Sequence, residues 1–124
     1  MSELRLLDGR FAICRLAADA EVPEWAAGGA FSSVTRTHDE LSVVCAESLV
    51  PEGTTRERGW RIFQVAGPME FSLIGVLEAI AAPLARTGVS IFAISTFDTD
   101  YFLVKDASLS KAVDTLRAAG HRIA

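Results

Sequence analysis

The sequence predicts an α+β protein built from short strands and two amphipathic helices. Short apolar runs bounded by Gly, Pro or Asp recur along the chain, which is typical of β-strands. Two segments of the C-terminal half place apolar residues at helical spacing. The order of these elements, strand, helix, strand, strand, helix, strand, is that of a ferredoxin-like module, whose single sheet carries both helices on one face.

In the N-terminal half we predict a reduced copy of this module. Phe11 to Leu16 is a strand, and Val22 to Ala27 is a short helix or turn. Phe31 to Thr37 and Leu41 to Glu47 form a hairpin, after which no second helix follows. Residues 48–59, SLVPEGTTRERG, are polar with Pro and Gly and are expected to form a connector.

The C-terminal half opens with a strand and a helix. Trp60 to Ala66 is rich in β-forming residues. Ser72 to Thr87 is an amphipathic helix, with Ser72 as its N-cap and Gly88 as its stop. Pro83 is expected to bend this helix or end it early, because proline removes one backbone donor and crowds the carbonyl four residues back.

A hairpin and a second helix follow. Val89 to Phe97 is apolar on both faces and is predicted to be a strand covered on both sides. Asp98 to Asp100 turn the chain into the strand Tyr101 to Lys105. A helix capped by Ser108 and a short last strand, His121 to Ile123, complete the module.

An internal repeat supports two related halves. A shift of 61 residues superimposes Phe31 on Phe92, Thr35 on Thr96, Asp39 on Asp100 and Val43 on Val104. We therefore divide the chain into a reduced module of residues 1–59 and a complete module of residues 60–124.

Composition and charge exclude several classes of function. Half of the 124 residues are hydrophobic, which is enough for a sizeable core. The longest uncharged run has 11 residues, against the roughly 18 to 20 that a membrane span needs. The net charge of −4 argues against binding to nucleic-acid phosphates. The charged N-terminal residues do not fit a secretory signal, so we expect a cytoplasmic location.

The sequence contains no set of catalytic or metal-ligating residues. Cys14 and Cys45 stand singly in apolar runs and are predicted to be small core residues. His38 and His121 lie outside any motif with a nucleophile, so both are predicted to be ordinary surface residues. We therefore predict a protein that is not an enzyme and that needs no cofactor or metal.

Two segments are candidates for ligand binding. In STFDTD, Ser95 to Asp100, polar groups follow an apolar strand and can face a small polar ligand. The alternative is a solvated turn in which Asp bonds its own backbone. At the start of the first helix, Gly75 lets backbone come close, and unpaired helical N–H groups can bind an anion. The alternative there is that Gly75 only permits tight packing.

These same segments carry a resemblance to a known family. The stretches FSLIGVLEAIAAPLARTGVSIFAISTFDTDYFLVK and FSSVTRTHDELSVVC resemble the small bacterial tandem ACT-domain proteins and, more distantly, the ACT repeats of the CASTOR arginine sensors. The resemblance begins at about Phe11. It implies two βαββαβ ACT modules in tandem, the first one reduced, that bind an amino acid or similar metabolite at an interface between modules.

The resemblance also implies which residues bind the ligand. The matching positions are Gly75 and Val76 at the helix start, Ser90 and Ile91 on the central strand, and Thr96, Phe97 and Asp100 in the signature. In the sensors the two strand positions come from one module and the other five from its partner, so here the two surfaces would meet across a homodimer. Glu70 departs from the sensors, which have Gly there, and is expected to narrow the pocket or change what it accepts.

A homodimer is also expected from the strand Val89 to Phe97, which has no face suited to water. The function predicted is a non-enzymatic sensor whose regulated partner protein is unknown. The alternative is a ligand-free dimerisation or protein-interaction module, in which the helix and strand surfaces only hold subunits together.

Overall fold

The computed structural model describes residues 2–66 and 75–124. The strands are β1 (Glu3–Leu6), β2 (Phe11–Leu16), β3 (Ser33–Arg36), β4 (Leu41–Ala46), β5 (Thr55–Val65), β6 (Phe92–Ser95), β7 (Asp100–Lys105) and β8 (Arg122–Ile123), and the helices are α1 (Val76–Arg86) and α2 (Leu109–Ala118). The chain divides into an N-terminal unit, Asp8–Trp60, and a C-terminal unit, Met1–Leu7 with Arg61–Ala124. The division of the sequence into modules 1–59 and 60–124 stays a prediction.

The N-terminal unit is built on strands in the order β3-β4-β2-β5. Its apolar core contains Ala12, Cys14, Ala26, Leu41, Val43 and Cys45. The strand Phe11–Leu16 and the hairpin are confirmed, and a 3₁₀ turn at Glu24–Ala27 is the predicted short helix or turn. The predicted connector is wrong in part, because Thr55, Arg56 and Glu57 pair with β2 as the start of β5. Their polar side chains are mostly exposed, so this stretch of strand lacks an apolar signal.

Both cysteines are buried in this core, as predicted, and both are free thiols. On the neighbouring strands β2 and β4, Ala12 pairs with Cys45 and Cys14 pairs with Val43. Burial raises the pKa of Cys14, and it raises the pKa of Cys45 to about 11 with a further contribution from the adjacent Cys14. Thiols that hold their proton this tightly are weak nucleophiles at neutral pH.

The C-terminal unit has the predicted α+β, ferredoxin-like arrangement. Its strands follow the order β6-β7-β5-β1-β8. Ile80 of α1 and Leu116 of α2 join one buried cluster with Phe63 of β5 and Phe102 of β7, so both helices pack on the same face of the sheet. The two phenylalanine rings stack with their centroids 5.0 Å apart.

An unpredicted strand, β1, lies between the first and last strands of this module. It pairs antiparallel with β5, where Leu4 faces Val65, and parallel with β8, where Leu4 faces Ile123. Leu4 is fully buried in the core of the unit. The sequence signal was missed because β1 is four residues long and alternates charged residues with leucine, so it resembled a polar N-terminal segment.

Helix α1 contains Pro83 and still continues to Arg86, so it does not end early. The other expectation, a bend at Pro83, stays a prediction. Without a proline, residue 83 would donate its amide hydrogen to the carbonyl of Ala79. His121 supplies the missing donor, because its Nε2 lies 2.9 Å from the Ala79 oxygen. Its Nδ1 accepts a hydrogen bond from the Ser2 amide at 3.0 Å, which assigns the ring proton to Nε2.

His121 is therefore a buried structural residue, and its prediction as a surface residue is wrong. His38 is exposed, as predicted. The N-cap of α1 is Gly75. Ser72, which was predicted to be the N-cap, and Glu70 lie outside the described residues.

The second hairpin differs from its prediction in the length of its first strand. Only Phe92–Ser95 of the predicted nine residues forms β6. Phe92 and Ile94 are half-buried, whereas Ala93 and Ser95 are exposed, so one face of β6 is uncovered in the single chain.

Helix α2 is confirmed, with Ala112 and Leu116 buried. Within residues 2–66 and 75–124, no helix is long and apolar enough to cross a membrane.

The internal repeat exists, but at a different shift. β3 and β6, β4 and β7, and the 3₁₀ turns Glu47–Leu49 and Asp106–Ser108 are each separated by 59 residues, not 61. The structural match is therefore Thr37 with Thr96 and Asp39 with Asp98. The shift of 61 was wrong because it matched residue types, whereas the turn geometry fixes the register of the two hairpins.

Candidate functional site

The turn between β6 and β7 has a defined hydrogen-bonded geometry. Ser95 faces Asp100 at the end of the hairpin, and Thr96 to Thr99 connect them. The Thr96 amide donates to the Thr99 carbonyl oxygen at 2.8 Å, and the Thr96 hydroxyl donates to the same oxygen at 3.0 Å. The Thr99 amide donates to the Thr96 hydroxyl oxygen at 3.4 Å. Thr96 therefore closes this turn from within.

Asp100 is half-buried at the first position of β7. Its Oδ1 accepts a hydrogen bond of 2.6 Å from the Ser95 hydroxyl. An ionised carboxylate has about four acceptor positions, so this bond leaves capacity for a ligand. The same bond also serves the turn itself, which is the structural role that the sequence left open as an alternative.

The two middle residues of the turn point outward. Phe97 exposes 80% of its surface, the largest exposure among the large hydrophobic residues of the described chain. Asp98 is also exposed. The turn therefore presents an aromatic ring beside an acidic group, as a surface rather than as part of the core.

Thr99 holds the turn against the end of β5. It is only 5% exposed, and its hydroxyl donates to the carbonyl oxygen of Val65 at 2.6 Å. Val65 is the last residue of β5, so the turn lies beside the point where β5 ends. Sequence reasoning missed Thr99, because its role depends on the pairing of β7 with β5, which no local pattern reports.

Gly75 precedes α1 in a left-handed conformation, with φ of +83°. Among the described residues, no atom lies within 4 Å of the position that a Cβ atom would take there. The left-handed backbone conformation by itself favours glycine, since residues with a side chain rarely adopt it. The carbonyl of Gly75 accepts the amide of Ala79 at 2.9 Å, and Val76 is the first helical residue.

Ser90 and Ile91 lie before β6, at the opposite end of that strand from the Ser95–Asp100 turn. Ser90 is exposed, and Ile91 packs against the core of the unit. Five steps of extended chain between Ser90 and Ser95 correspond to roughly 16 Å. The structure thus brings Thr96, Phe97 and Asp100 together in one turn and separates Ser90 and Ile91 from them.

Other features of the described residues do not coincide with these positions. Among residues 2–66 and 75–124, no group of three or more His, Cys, Asp or Glu side chains could hold a metal ion. A cleft of about 370 Å³ in the N-terminal unit is lined by residues of the segments 8–11 and 46–48 together with Ala30. None of the predicted site residues lines this cleft.

Comparison with known proteins identifies the family. A model of the ACT domain matches residues 55–118, just over half of the chain. A second family model, described as an N-terminal domain, matches residues 9–53. The first match runs from β5 through α2.

Two curated relatives share a segment of 59 residues with the chain. The cytosolic arginine sensor for mTORC1 subunit 1 of Rattus norvegicus is 39% identical over it, and the Homo sapiens protein is 34% identical. The segment covers 47% of this chain and 18% of each sensor, so this chain spans a small part of the sensors' length.

Two solved structures resemble the whole chain. A crystal structure of an Agrobacterium tumefaciens protein is 41% identical with a TM-score of 0.95, covering 99% of this chain and 92% of that one. The aspartate kinase of Clostridium acetobutylicum is 14% identical with a TM-score of 0.67, covering 94% of this chain and 34% of the kinase, a likeness of fold alone. Because the ACT-domain model matches more than half of the residues, the chain belongs to the ACT-domain family, and over 59 residues it is similar to the cytosolic arginine sensors.

Proposed function

We propose that the protein is a non-enzymatic regulatory module that binds an amino acid, or a similar small metabolite, between two ACT modules of a homodimer. The observation that carries this proposal is the Ser95–Asp100 turn, which places a half-buried carboxylate at the end of β5 in a protein related to arginine sensors. The two tandem modules, 1–59 and 60–124, and a location in the cytosol belong to the same proposal.

The chemistry of the turn favours a ligand with a cationic end. A partly dehydrated carboxylate binds a cation through charge-assisted hydrogen bonds, each worth about 1.5 to 3 kcal/mol. Oδ1 of Asp100 is already aligned by Ser95. The exposed ring of Phe97 offers a flat apolar surface for the stem of the same ligand. A basic amino acid combines both features.

The anionic end of an amino acid is assigned to the start of α1. Gly75 and Val76 stand where backbone N–H groups lack intrahelical partners, and the helix dipole favours a carboxylate there. Helix α1 precedes β6 along the chain. In a ferredoxin-like module such a helix runs antiparallel to the next strand, so we expect the helix start to lie at the same edge as the end of β6. That edge holds Thr96, Phe97 and Asp100.

Ser90 and Ile91 require a second copy of the chain in this proposal. Ser90 and Ile91 lie roughly 16 and 13 Å along the extended chain from Ser95, farther than one amino acid reaches while it contacts Asp100. In the proposed homodimer they come from one chain and the other five ligand-binding residues come from its partner.

The test is a thermal-shift screen of the protein against the twenty amino acids at millimolar concentration, followed by calorimetry. A ligand that binds only the folded state stabilises it by an amount that grows with its concentration over Kd. We expect arginine or lysine to raise Tm and acidic amino acids to leave it unchanged. Absence of stabilisation by every amino acid contradicts the proposal.

The second candidate function, a ligand-free interaction module, is favoured by the exposure of Phe97. An aromatic ring that is 80% exposed at the tip of a turn is suited to insertion into a partner. This alternative predicts that Phe97→Ser abolishes self-association, whereas no amino acid changes Tm. The sensor proposal predicts a Tm shift that Phe97→Ser reduces.

A further inference from the structure

The two hairpins of the chain carry the same four-residue turn. In the first, the Thr37 amide donates to the Glu40 carbonyl oxygen at 2.9 Å, and the Glu40 amide donates to the Thr37 hydroxyl oxygen at 3.2 Å. In the second, Thr96 and Thr99 make the corresponding bonds at 2.8 and 3.4 Å. Each turn is therefore closed by its first residue, a threonine.

The fourth position distinguishes the turns. The first turn has Glu40 there, and the second has Thr99, whose hydroxyl donates to the Val65 carbonyl oxygen at 2.6 Å. This second bond is additional to those that close the turn. It joins residues that are 34 positions apart, so it fixes where the turn lies and not only its shape.

The Val65 carbonyl is available to Thr99 because of the strand pairing. Two backbone hydrogen bonds join β1 to β5 at the ends of their paired stretch: the Ala66 amide donates to the Glu3 carbonyl oxygen, and the Leu7 amide donates to the Ile62 carbonyl oxygen. Val65 faces Leu4 between these positions, so its carbonyl turns away from β1 and toward β7, as antiparallel pairing requires. β7 begins at Asp100, so Thr99 lies just before the strand. There its hydroxyl, instead of a backbone amide of β7, donates to the Val65 carbonyl oxygen.

We propose that Thr99 is a positioning residue that sets selectivity for a cationic ligand, by holding Asp100 in place through the Val65 carbonyl. The inference rests on the proposed function for its ligand and goes beyond it in assigning selectivity to a buried residue that does not face the ligand. Asp100 directly follows Thr99, so loss of the Thr99 bond releases the carboxylate from its position at the end of β5.

The test compares Thr99→Val, which keeps the shape and removes the hydroxyl, with Thr99→Ser, which keeps the hydroxyl. Glu40→Val, at the matching position of the first turn, is the control. The probes are L-arginine and L-citrulline, whose neutral urea group replaces the guanidinium. Calorimetry gives the ratio of the two affinities, which a general loss of stability does not change.

For Thr99→Val we expect about a tenfold weaker affinity for arginine, the ratio that about 1.4 kcal/mol implies, and less than about a twofold change for citrulline. Thr99→Ser and Glu40→Val are expected to keep the wild-type ratio. An unchanged ratio in Thr99→Val, or a wild-type protein that binds both probes equally, overturns the proposal.

A ligand-free measurement separates this inference from the proposed function. Hydrogen exchange of the peptide that contains Ser95–Asp100 is expected to be faster in Thr99→Val than in the wild type, and unchanged in Glu40→Val. If the wild type binds neither probe, the proposed function fails and selectivity by Thr99 fails with it. Unchanged exchange in Thr99→Val contradicts the positioning role, whatever the wild type binds.

Discussion

At the scale of single residues, Asp100 has two roles that a substitution can separate. Its carboxylate accepts the Ser95 hydroxyl within the hairpin, and it is also the acidic group proposed to face the ligand. An asparagine side chain keeps an oxygen that can accept from Ser95, but it loses the charge. The substitution therefore tests the charge while it largely preserves the turn.

For Asp100→Asn we expect binding of a basic ligand to weaken about ten- to a hundredfold, which corresponds to about 1.4 to 2.8 kcal/mol. The matched control is Asp98→Asn, which removes an exposed charge from the same turn. Calorimetry with arginine measures both variants. Unchanged affinity in Asp100→Asn together with a lower Tm would show that Asp100 only supports its own turn.

The buried thiol of Cys45 gives a prediction that depends on pH. Burial, with Cys14 nearby, raises its pKa from 9.0 to about 11 in the folded protein. The folded state therefore holds the proton more tightly than the unfolded state, and this stabilisation is complete below pH 9 and lost as pH rises through 11. We expect the free energy of unfolding to fall between pH 9 and 11 more in the wild type than in Cys45→Ala.

Alkylation supplies an independent measurement of the same thiol. At pH 8 the thiolate fraction of Cys45 is about a hundredfold below that of an ordinary cysteine, so iodoacetamide should modify it slowly in the folded protein and rapidly in denaturant. Rapid native-state modification, or identical pH profiles for wild type and Cys45→Ala, would contradict the raised pKa.

Residues with purely local signals were predictable, and residues that act across the fold were not. The buried cysteines followed from their apolar surroundings, and the turn at Asp98 followed from its composition. His121 was wrongly predicted to lie on the surface, because it bonds a carbonyl 42 positions away in the chain. Thr99 was missed, because it bonds a carbonyl 34 positions away. The sequence around a polar residue does not report such a partner.

At the scale of elements, α1 tolerates Pro83 because another element supplies the missing donor. The imidazole of His121 donates to the Ala79 carbonyl, which has no intrahelical partner at position 83. Proline inside a helix costs about 3 kcal/mol in a helix that lacks such compensation. The two residues are therefore energetically coupled although they belong to different elements.

A double-mutant cycle measures this coupling. His121→Phe is expected to cost about 1 to 3 kcal/mol, because it leaves the Ala79 oxygen and the Ser2 amide without a partner. In the Pro83→Ala background the restored helical amide serves Ala79, so the same substitution should cost about 1 kcal/mol less. Urea denaturation provides the four stabilities, and strictly additive values would contradict the coupling.

The predictions of secondary structure were wrong for strands whose exposed residues are polar, because such strands resemble loops in sequence. β2, the first hairpin and α2 had clear apolar periodicity and were correct. The start of β5 was missed because its exposed polar residues show no alternation that distinguishes a strand from a connector. β1 was missed because its alternation of charged residues with leucine extends over only four residues. The repeat was detectable, but its shift was set by the hydrogen bonds of Thr37 and Thr96, which residue matching does not contain.

At the scale of the whole molecule, the proposed homodimer has a direct test. One face of β6 is uncovered in the single chain, and the ring of Phe97 is exposed next to it. We expect sedimentation at tens of micromolar to give twice the 13.3 kDa mass of the chain, and Phe97→Ser to shift the equilibrium toward monomer. A wild-type protein that sediments only as a monomer would refute the dimer.

The insertion of β1 has a consequence for the order in which the chain folds during synthesis. Leu4 gains its buried place only after β5 has left the ribosome, and the Ser2 amide meets His121 across 119 residues of chain. Such distant pairings close slowly, so β1 stays unpaired at least until β5 has been synthesised. Glu3 and Arg5 are charged and exposed on either side of Leu4. Charged side chains on an unpaired strand disfavour its pairing with strands of other nascent chains.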